Sequence, residues 1–263
     1  LQKSAIAARI EKIAVEGPGF LNFYYSAAEI ISVVLRIKKE GKEYGKPHPK
    51  KKRKILLEFV SANPTGPLTI AHGRQAALGD SLVRILQFRG NDVTREYYNN
   101  DEGVQIETLG LSTRARVEEI LEDSQKELPE NYYKGEYLIE IAQQLLDEIT
   151  PAVFGKLPDA EKTLKCRNFA RQRIMEGIQA DLKDFDVAFD HYYSQEKLGK
   201  SGRVEKTLEE LKKKSMVYEK EGAWWLRSTD FGDDKDRVLI KSDKTYTYVA
   251  PDIAYHHEKF ERG

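Results

Sequence analysis

The 263-residue sequence predicts an α/β fold built on a parallel, nucleotide-binding sheet, on the strength of three observations. Residues 55–60 (ILLEFV) form a nearly unbroken apolar run, as a strand buried on both faces requires, with one conspicuous carboxylate, Glu58. A turn-rich loop, residues 61–68 (SANPTGPL), leads into helical spacing through Ile70, Ala77, Leu78, Leu82, Ile85 and Leu86, and Gly90 and Asn91 supply the stop. Residues 93–98 (VTREYY) return to β-forming side chains, so strand, glycine-containing loop, helix and strand follow in the order of a βαβ unit.

The remaining elements follow from the same periodicities. Residues 1–15 carry apolar side chains at helical spacing, 16–19 make a turn, 20–25 (FLNFYY) read as a strand, and Ile30, Ile31, Val34 and Leu35 repeat on one face of a helix. Residues 1–46 hold too little apolar surface for an independent domain and are expected to be the tail of one whose beginning is missing. Residues 46–54 (KPHPKKKRK) read as a solvated, extended linker in preference to a phosphate contact or localisation signal, and mark a boundary. Beyond the βαβ unit, residues 102–149 predict two or three polar helices, 160–186 another, and 204–214 a helix with the charge density of an exposed surface. Short strands are expected at 223–227, 237–241 and 246–249, then a helix over 252–260.

Composition narrows the function. The 43 Lys and Arg cancel the 43 Asp and Glu, and 40% hydrophobic with 33% charged residues describes a soluble globular protein. A general polyanion-binding field is excluded, so any contact with nucleic acid or phosphate must be local. The longest stretch without Asp, Glu, Lys or Arg, residues 59–73, contains Pro64 and Pro67 and falls short of the ~20 apolar residues of a membrane span. Cys166 has no partner for an internal disulfide and the charged first residues do not form a secretory signal, so a reducing cytoplasm is expected. The start without Met and the stop as a helical pattern closes read as a piece of a longer protein.

Asn63, Thr65, Gly66, Thr69, His72 and Gly73 lie between a buried strand and the first turn of a helix. Free N–H groups and the helix dipole favour an anion there, and His72 and Arg74 add donors; a plain strand-to-helix connection reads equally well. His256 and His257 point about 100° apart on a helix and cannot share one metal. Cys166 reads as a structural thiol despite basic neighbours. Tyr132, Tyr133, Tyr192 and Tyr193 read as packing residues, with Lys134 and His191 keeping an RNA contact open.

Residues 58–80 (EFVSANPTGPLTIAHGRQAALGD) with 93–106 (VTREYYNNDEGVQI), then 225–243 (WLRSTDFGDDKDRVLIKSD) and 245–263 (TYTYVAPDIAYHHEKFERG), resemble the catalytic domain of the arginyl-tRNA synthetases, class I aminoacyl-tRNA synthetases, in the same order. Residues 17–26 (GPGFLNFYYS) are similar to the end of the family's N-terminal tRNA-contacting domain. The resemblance implies a Rossmann-like catalytic domain from residue 47 to 263, with a mainly helical insertion at about 107–222, after the tail of an N-terminal α+β domain at 1–46. It also implies arginine activation with ATP and Mg²⁺, then transfer to tRNA-Arg, by a monomer without membrane contact. Catalysis would be in-line positioning and stabilisation of phosphoryl charge.

Residue by residue, the family's His-x-Gly-His falls on Thr69, Ile70, Ala71 and His72. The resemblance implies Thr69 and His72 as catalytic, and Pro67, Thr69, Ala71, His72, Gly73 and Arg74 as ATP-binding. Thr69 in place of histidine loses an imidazole contact, ~1 to 3 kcal/mol of transition-state stabilisation, and Ala71 adds a methyl where glycine would let adenine approach. Glu58, Asn63, Tyr248 and Asp252 fall on the arginine-binding positions, where two carboxylates suit a guanidinium with five donors. Singly, Glu58 reads rather as a strand-edge charge, Asp252 as a helix cap and Tyr248 as core; found together within the family's motifs, they read as binding residues. Thr65 and Gly66 stand where some members carry a lysine, which implies a catalytic lysine in the later Lys-Met-Ser-Lys-Ser loop, absent here with the second half-sheet and anticodon-binding domain. The altered motif leaves a second reading, a degenerate arginine- or tRNA-binding paralogue.

Overall fold

Three sheets organise the described residues, 9–47, 52–125 and 127–262 of a computed structural model, and the chain divides into two units, Leu1–Lys51 with Phe88–Gly90 and Lys52–Gln87 with Asn91–Gly263. In the first unit, β1 (Ile10–Glu16) and β2 (Phe20–Tyr25) form an antiparallel hairpin with Glu16 opposite Phe20. Residues 10–15 were expected to be helical, which the hairpin corrects. Gly17 and Gly19, at φ +57° and +95°, turn the chain back, and pairing of Ile10, Ile13 and Val15 with an aromatic strand overrides a weak helical preference. Residues 1–8 of the expected helix and 48–51 of the basic linker lie outside the described residues. The Ser26 hydroxyl accepts the Glu29 N–H at 3.2 Å and so caps α1 (Ala27–Glu40).

The second unit holds the expected parallel sheet, in the order β3 (Lys54–Glu58), β4 (Asp92–Asn99), β5 (His191–Ser194). Helix α2 (Ile70–Phe88) links β3 to β4 and comes close to the chain leaving β3 at Gly79, where a Cβ would sit 2.2 Å from the Phe59 ring. Between β4 and β5 run α3 (Val104–Glu122), α4 (Tyr137–Ile149), α5 (Pro151–Gly155) and α6 (Asp159–Asp184). Cys166, Ala170, Ile174, Ile178 and Leu182 recur every four residues and give α6 one buried stripe. The thiol of Cys166 is buried within it and pushed up to about 12 by that burial. The stretch 107–222 therefore supplies helices but also two strands, Val217–Lys220 and β5, whose Tyr192 packs on Tyr97 and whose Tyr193 stacks with Tyr98.

After α7 (Gln195–Lys200) and α8 (Arg203–Lys213), β6 (Val217–Lys220), β7 (Ala223–Leu226) and β8 (Arg237–Ile240) form an antiparallel sheet. Two expectations need correction here. Helix α8 is amphipathic rather than exposed throughout: Val204 and Leu208 are buried with Leu239, Ala254 and Tyr255. Residues 246–249 form no strand; only a bridge joins Tyr246 to Ile240, because Pro251 fits the first turn of a helix and α9 (Val249–Arg262) begins there. No helix among the described residues is long and apolar enough to cross a membrane.

Gly79→Ala is expected to lower the urea midpoint. Alanine gains about 1 kcal/mol of helix propensity, but a methyl 2.2 Å from Phe59 is well inside contact distance, and overpacking of that kind costs about 1 to 3 kcal/mol.

Candidate active site

The loop leaving β3 begins with backbone that side chains disfavour: Val60 and Ser61 lie at φ +64° and +43°. Hydrogen bonds from both sides hold it. Tyr97 of β4 donates its hydroxyl to the Ala62 carbonyl at 2.7 Å, the Tyr98 N–H donates to the Ser61 hydroxyl at 3.0 Å, and Tyr137 of α4 donates to the Thr65 carbonyl at 2.6 Å. Asn63 is held as well, its Nδ2 donating to Gln105 Oε1 at 2.6 Å.

At the start of α2, the Gly73 N–H donates to the Thr69 carbonyl at 3.0 Å, which leaves the N–H groups before it without intrahelical acceptors. The Thr69 N–H donates to His72 Nδ1 at 3.0 Å, and Thr69 Oγ1 lies 3.1 Å from the same nitrogen. A nitrogen that accepts a backbone N–H carries no proton, so neutral His72 keeps its proton on Nε2 and presents a donor. Ala71 and Arg74 are exposed on this turn, His72 and Gly73 half-buried. Pro67 is exposed and lines a cavity of about 380 Å³ against α4 and α6. Thr69, Ala71, His72, Gly73 and Arg74 thus share one open helix end suited to a phosphate.

The carboxylates form a second group, on the sheet face toward α9. Glu58 and Glu96 are register neighbours on β3 and β4. The Ser61 hydroxyl donates to Glu58 Oε1 at 3.0 Å, and Tyr255 and Lys259 of α9 both reach Glu58 Oε2. Burial raises the Glu58 carboxyl, but the donors Lys259, Ser61 and Tyr255 outweigh it and hold the group below its ordinary value. Asp252, in the first turn of α9, receives no hydrogen bond from any side chain among the described residues. Desolvation raises its carboxyl, His256 opposes that, and the charge of Glu58 adds to it. Burial first, then Asp252, Glu102, Glu58 and Asp101, push up the Tyr98 phenol, so these acids surround one ring.

The structure brings Glu58 and Asp252 within electrostatic range without placing them in one cavity. Glu58 lines a groove of about 390 Å³ against α2, and Asp252 lines a cavity of about 400 Å³ between α8 and α9. Tyr248, 77% exposed, stands just before α9 and lines neither. His256 is exposed, and His257 lies 4.0 Å from Glu210; no group of three metal-ligating side chains is found among the described residues.

Sequence reasoning passed over Glu96, Tyr255, Lys259 and Arg262. Glu96 is fully buried and accepts from Tyr255 at 2.6 Å and from both Nη atoms of Arg262. An acid inside the β-run VTREYY was the available signal, as was the spacing of Tyr255, Lys259 and Arg262 along one helix face.

The family model for tRNA synthetases class I (R), catalytic domain, matches residues 33–262. An arginine-tRNA ligase of Shouchella clausii (strain KSM-K16) is 45% identical over 256 residues, 97% of this chain and 46% of that protein. The arginine-tRNA ligase of Bacillus subtilis (strain 168) is 44% identical over the same shares. A solved structure from Campylobacter jejuni, assigned as an arginyl-tRNA synthetase, aligns with a TM-score of 0.78 at 35% identity over 88% of this chain and 50% of its own. Arginyl-tRNA synthetase from Thermus thermophilus has the same fold, with a TM-score of 0.60 at 24% identity over 95% of this chain and 42% of its own. The chain spans about half the length of the curated relatives it matches.

Lys259→Met is expected to destabilise the protein by about 1.5 to 3 kcal/mol at neutral pH, the range for hydrogen bonds to charged groups. A carboxyl lowered by folding contributes fully above its ordinary value and loses that contribution as pH falls through the lowered one. Urea titrations of the two proteins should therefore differ most at neutral pH and converge in acid below about 4.5.

Proposed function

The chain belongs to the family of class I tRNA synthetase (R) catalytic domains, and from that premise we propose that it forms part of an arginine-tRNA ligase. The reaction is activation of arginine by ATP to arginyl-adenylate and pyrophosphate, then transfer of the arginyl group to tRNA-Arg. The match of the family model across residues 33–262 carries this reading, since the α2 loop and the α9 carboxylate both fall within it.

In this reading the open end of α2 receives the ATP phosphates, where charge grows as the α-phosphate is displaced. His72 donates from Nε2, with Thr69 fixing its ring, while Arg74 supplies a cation and Pro67, Ala71 and Gly73 shape the approach. Of the four residues expected to bind arginine, Glu58, Asn63, Tyr248 and Asp252, the reading rests on Asp252, since Glu58 lines a separate groove and Tyr248 lines neither cavity. Asp252 takes the guanidinium first, because its carboxylate is open while Glu58 is already held by Lys259 and Ser61. Mg²⁺ would arrive on the ATP phosphates, as it commonly does; the described residues form no cluster of three ligands for it. Residues 1–46 would be the end of a tRNA-contacting domain and 47–263 the first part of the catalytic domain, with an insertion at about 107–222. The enzyme would work as a cytoplasmic monomer.

The full-length protein containing this chain is expected to exchange pyrophosphate into ATP with arginine, assayed with tRNA-Arg present; exchange driven equally by lysine or glutamine would refute the assignment. Asp252→Ala should cost about 2 to 5 kcal/mol of arginine binding, the range for stripping one partner from a charge pair that the bound ligand shields from water. Thr69→Ala should cost only about 0.5 to 1.5 kcal/mol; equal losses would undo the ranking of carboxylate over loop. The arginine KM should rise as pH falls, starting above the ordinary aspartate value of 3.8, because protonation of a raised Asp252 carboxyl removes the guanidinium's counter-charge. Asp252→Asn should flatten that dependence.

A further inference from the structure

Helix α9 carries Asp252 near its start and Tyr255, Lys259 and Arg262 one, two and three turns later. Those three side chains, with Glu258, which accepts the Tyr193 hydroxyl at 2.6 Å, join the helix to the parallel sheet beneath it. Arg262 grips Glu96 with both Nη atoms, a planar fork on a carboxylate, and also lies over the Tyr193 ring at 5.2 Å. The Tyr255 hydroxyl sits 2.6 Å from Glu96 and 3.0 Å from Glu58. A phenol has one proton, and the shorter contact assigns it to Glu96, leaving Glu58 to Lys259 and Ser61. The apolar contribution comes from buried Ala250 and Ala254 and from Val249 and Ile253, packed on the cluster that holds Val204, Leu208 and Leu239. That packing seats the helix on α8 and β8, and the bidentate ion pair adds a directional contact to β4 that resists sliding and rotation.

We propose that Glu96 is a positioning residue for the amino-acid site: gripped by Arg262 and Tyr255, it fixes α9 on β3 and β4 and thereby sets Asp252 relative to Glu58. The inference rests on the arginine-binding reading above and adds a residue to it that touches no substrate. Glu96 acts on the site through α9 and through Glu58 beside it, with which it shares Tyr255 and Lys259, so its loss moves Asp252 while leaving the α2 end, on the chain following β3, where it is.

The test compares the full-length protein with its Glu96→Gln and Tyr255→Phe variants in arginine-dependent pyrophosphate exchange, with urea midpoints measured alongside. Both variants are expected to raise the arginine KM by about 10-fold to 100-fold, as loss of an orienting partner does, with the ATP KM moving less than about twofold. A merely structural role would lower stability without splitting the two constants. An unchanged arginine KM in Glu96→Gln, or an ATP KM that rises in step, overturns the proposal. Should Glu96→Gln fail to fold, Arg262→Lys decides alone on the same two constants, since it keeps a charge opposite Glu96, removes only the fork and leaves the Tyr255 hydroxyl beside Glu58. Wild-type exchange that needs no arginine would instead refute the ligase reading, a result visible in the same assay before any variant is made.

Discussion

A carboxylate with no surface open to water persists only where donors replace its hydration, and Glu96 is that carboxylate at the centre of this fold. Burying an ion costs several kcal/mol even after relaxation, and a partner repays that only with good geometry. Arg262 supplies two parallel donors and Tyr255 a third, both from α9. Because Glu96 lies on the central strand, with Glu58 beside it on β3 and His191 on β5, the ion pair ties one helix to a register shared by three strands. Lys259, against Glu58 and 4.0 Å from Glu96, brings this pocket of charge near neutrality.

The loop between β3 and α2 shows a different balance. Non-glycine residues in left-handed backbone cost of order 1 to 3 kcal/mol each, and Val60 and Ser61 are consecutive. Bonds from Tyr97 and Tyr137 to the carbonyls of Ala62 and Thr65 offset that cost. One of those tyrosines comes from the neighbouring strand and the other from a helix far downstream, so the loop's shape depends on α4 as well as on the sheet.

This division explains what could be read from the sequence. The βαβ unit was legible because its signals are local: an apolar run, a turn-rich loop and a change of period between residues 55 and 98. Helix α6 was legible from its own composition. Strand β5 was not, since HYYS is too short to carry a pattern and its pairing with β4 spans more than ninety residues of chain. The first strand was misread because Ile10 and Ile13 keep a helical spacing while Ile13 and Val15 alternate as in a strand, and only the partner strand, paired with a register shift between Ile10 and Lys12, chooses between them. Around the site, the loop residues stood out through a motif, as did Glu58 and Asp252. Glu96 did not, although it is the same residue type in the same kind of run, because only tertiary structure supplies its partners.

Cys166 offers a consequence of another kind. It is the chain's single sulfhydryl, wholly enclosed on the buried stripe of α6, with ionisation suppressed by that enclosure. An alkylating reagent therefore finds nothing to attack while α6 stays seated against its neighbouring helices. Every adduct formed counts a molecule in which that bundle has opened, so the rate of labelling reads the opening equilibrium of this region directly, without any engineered probe.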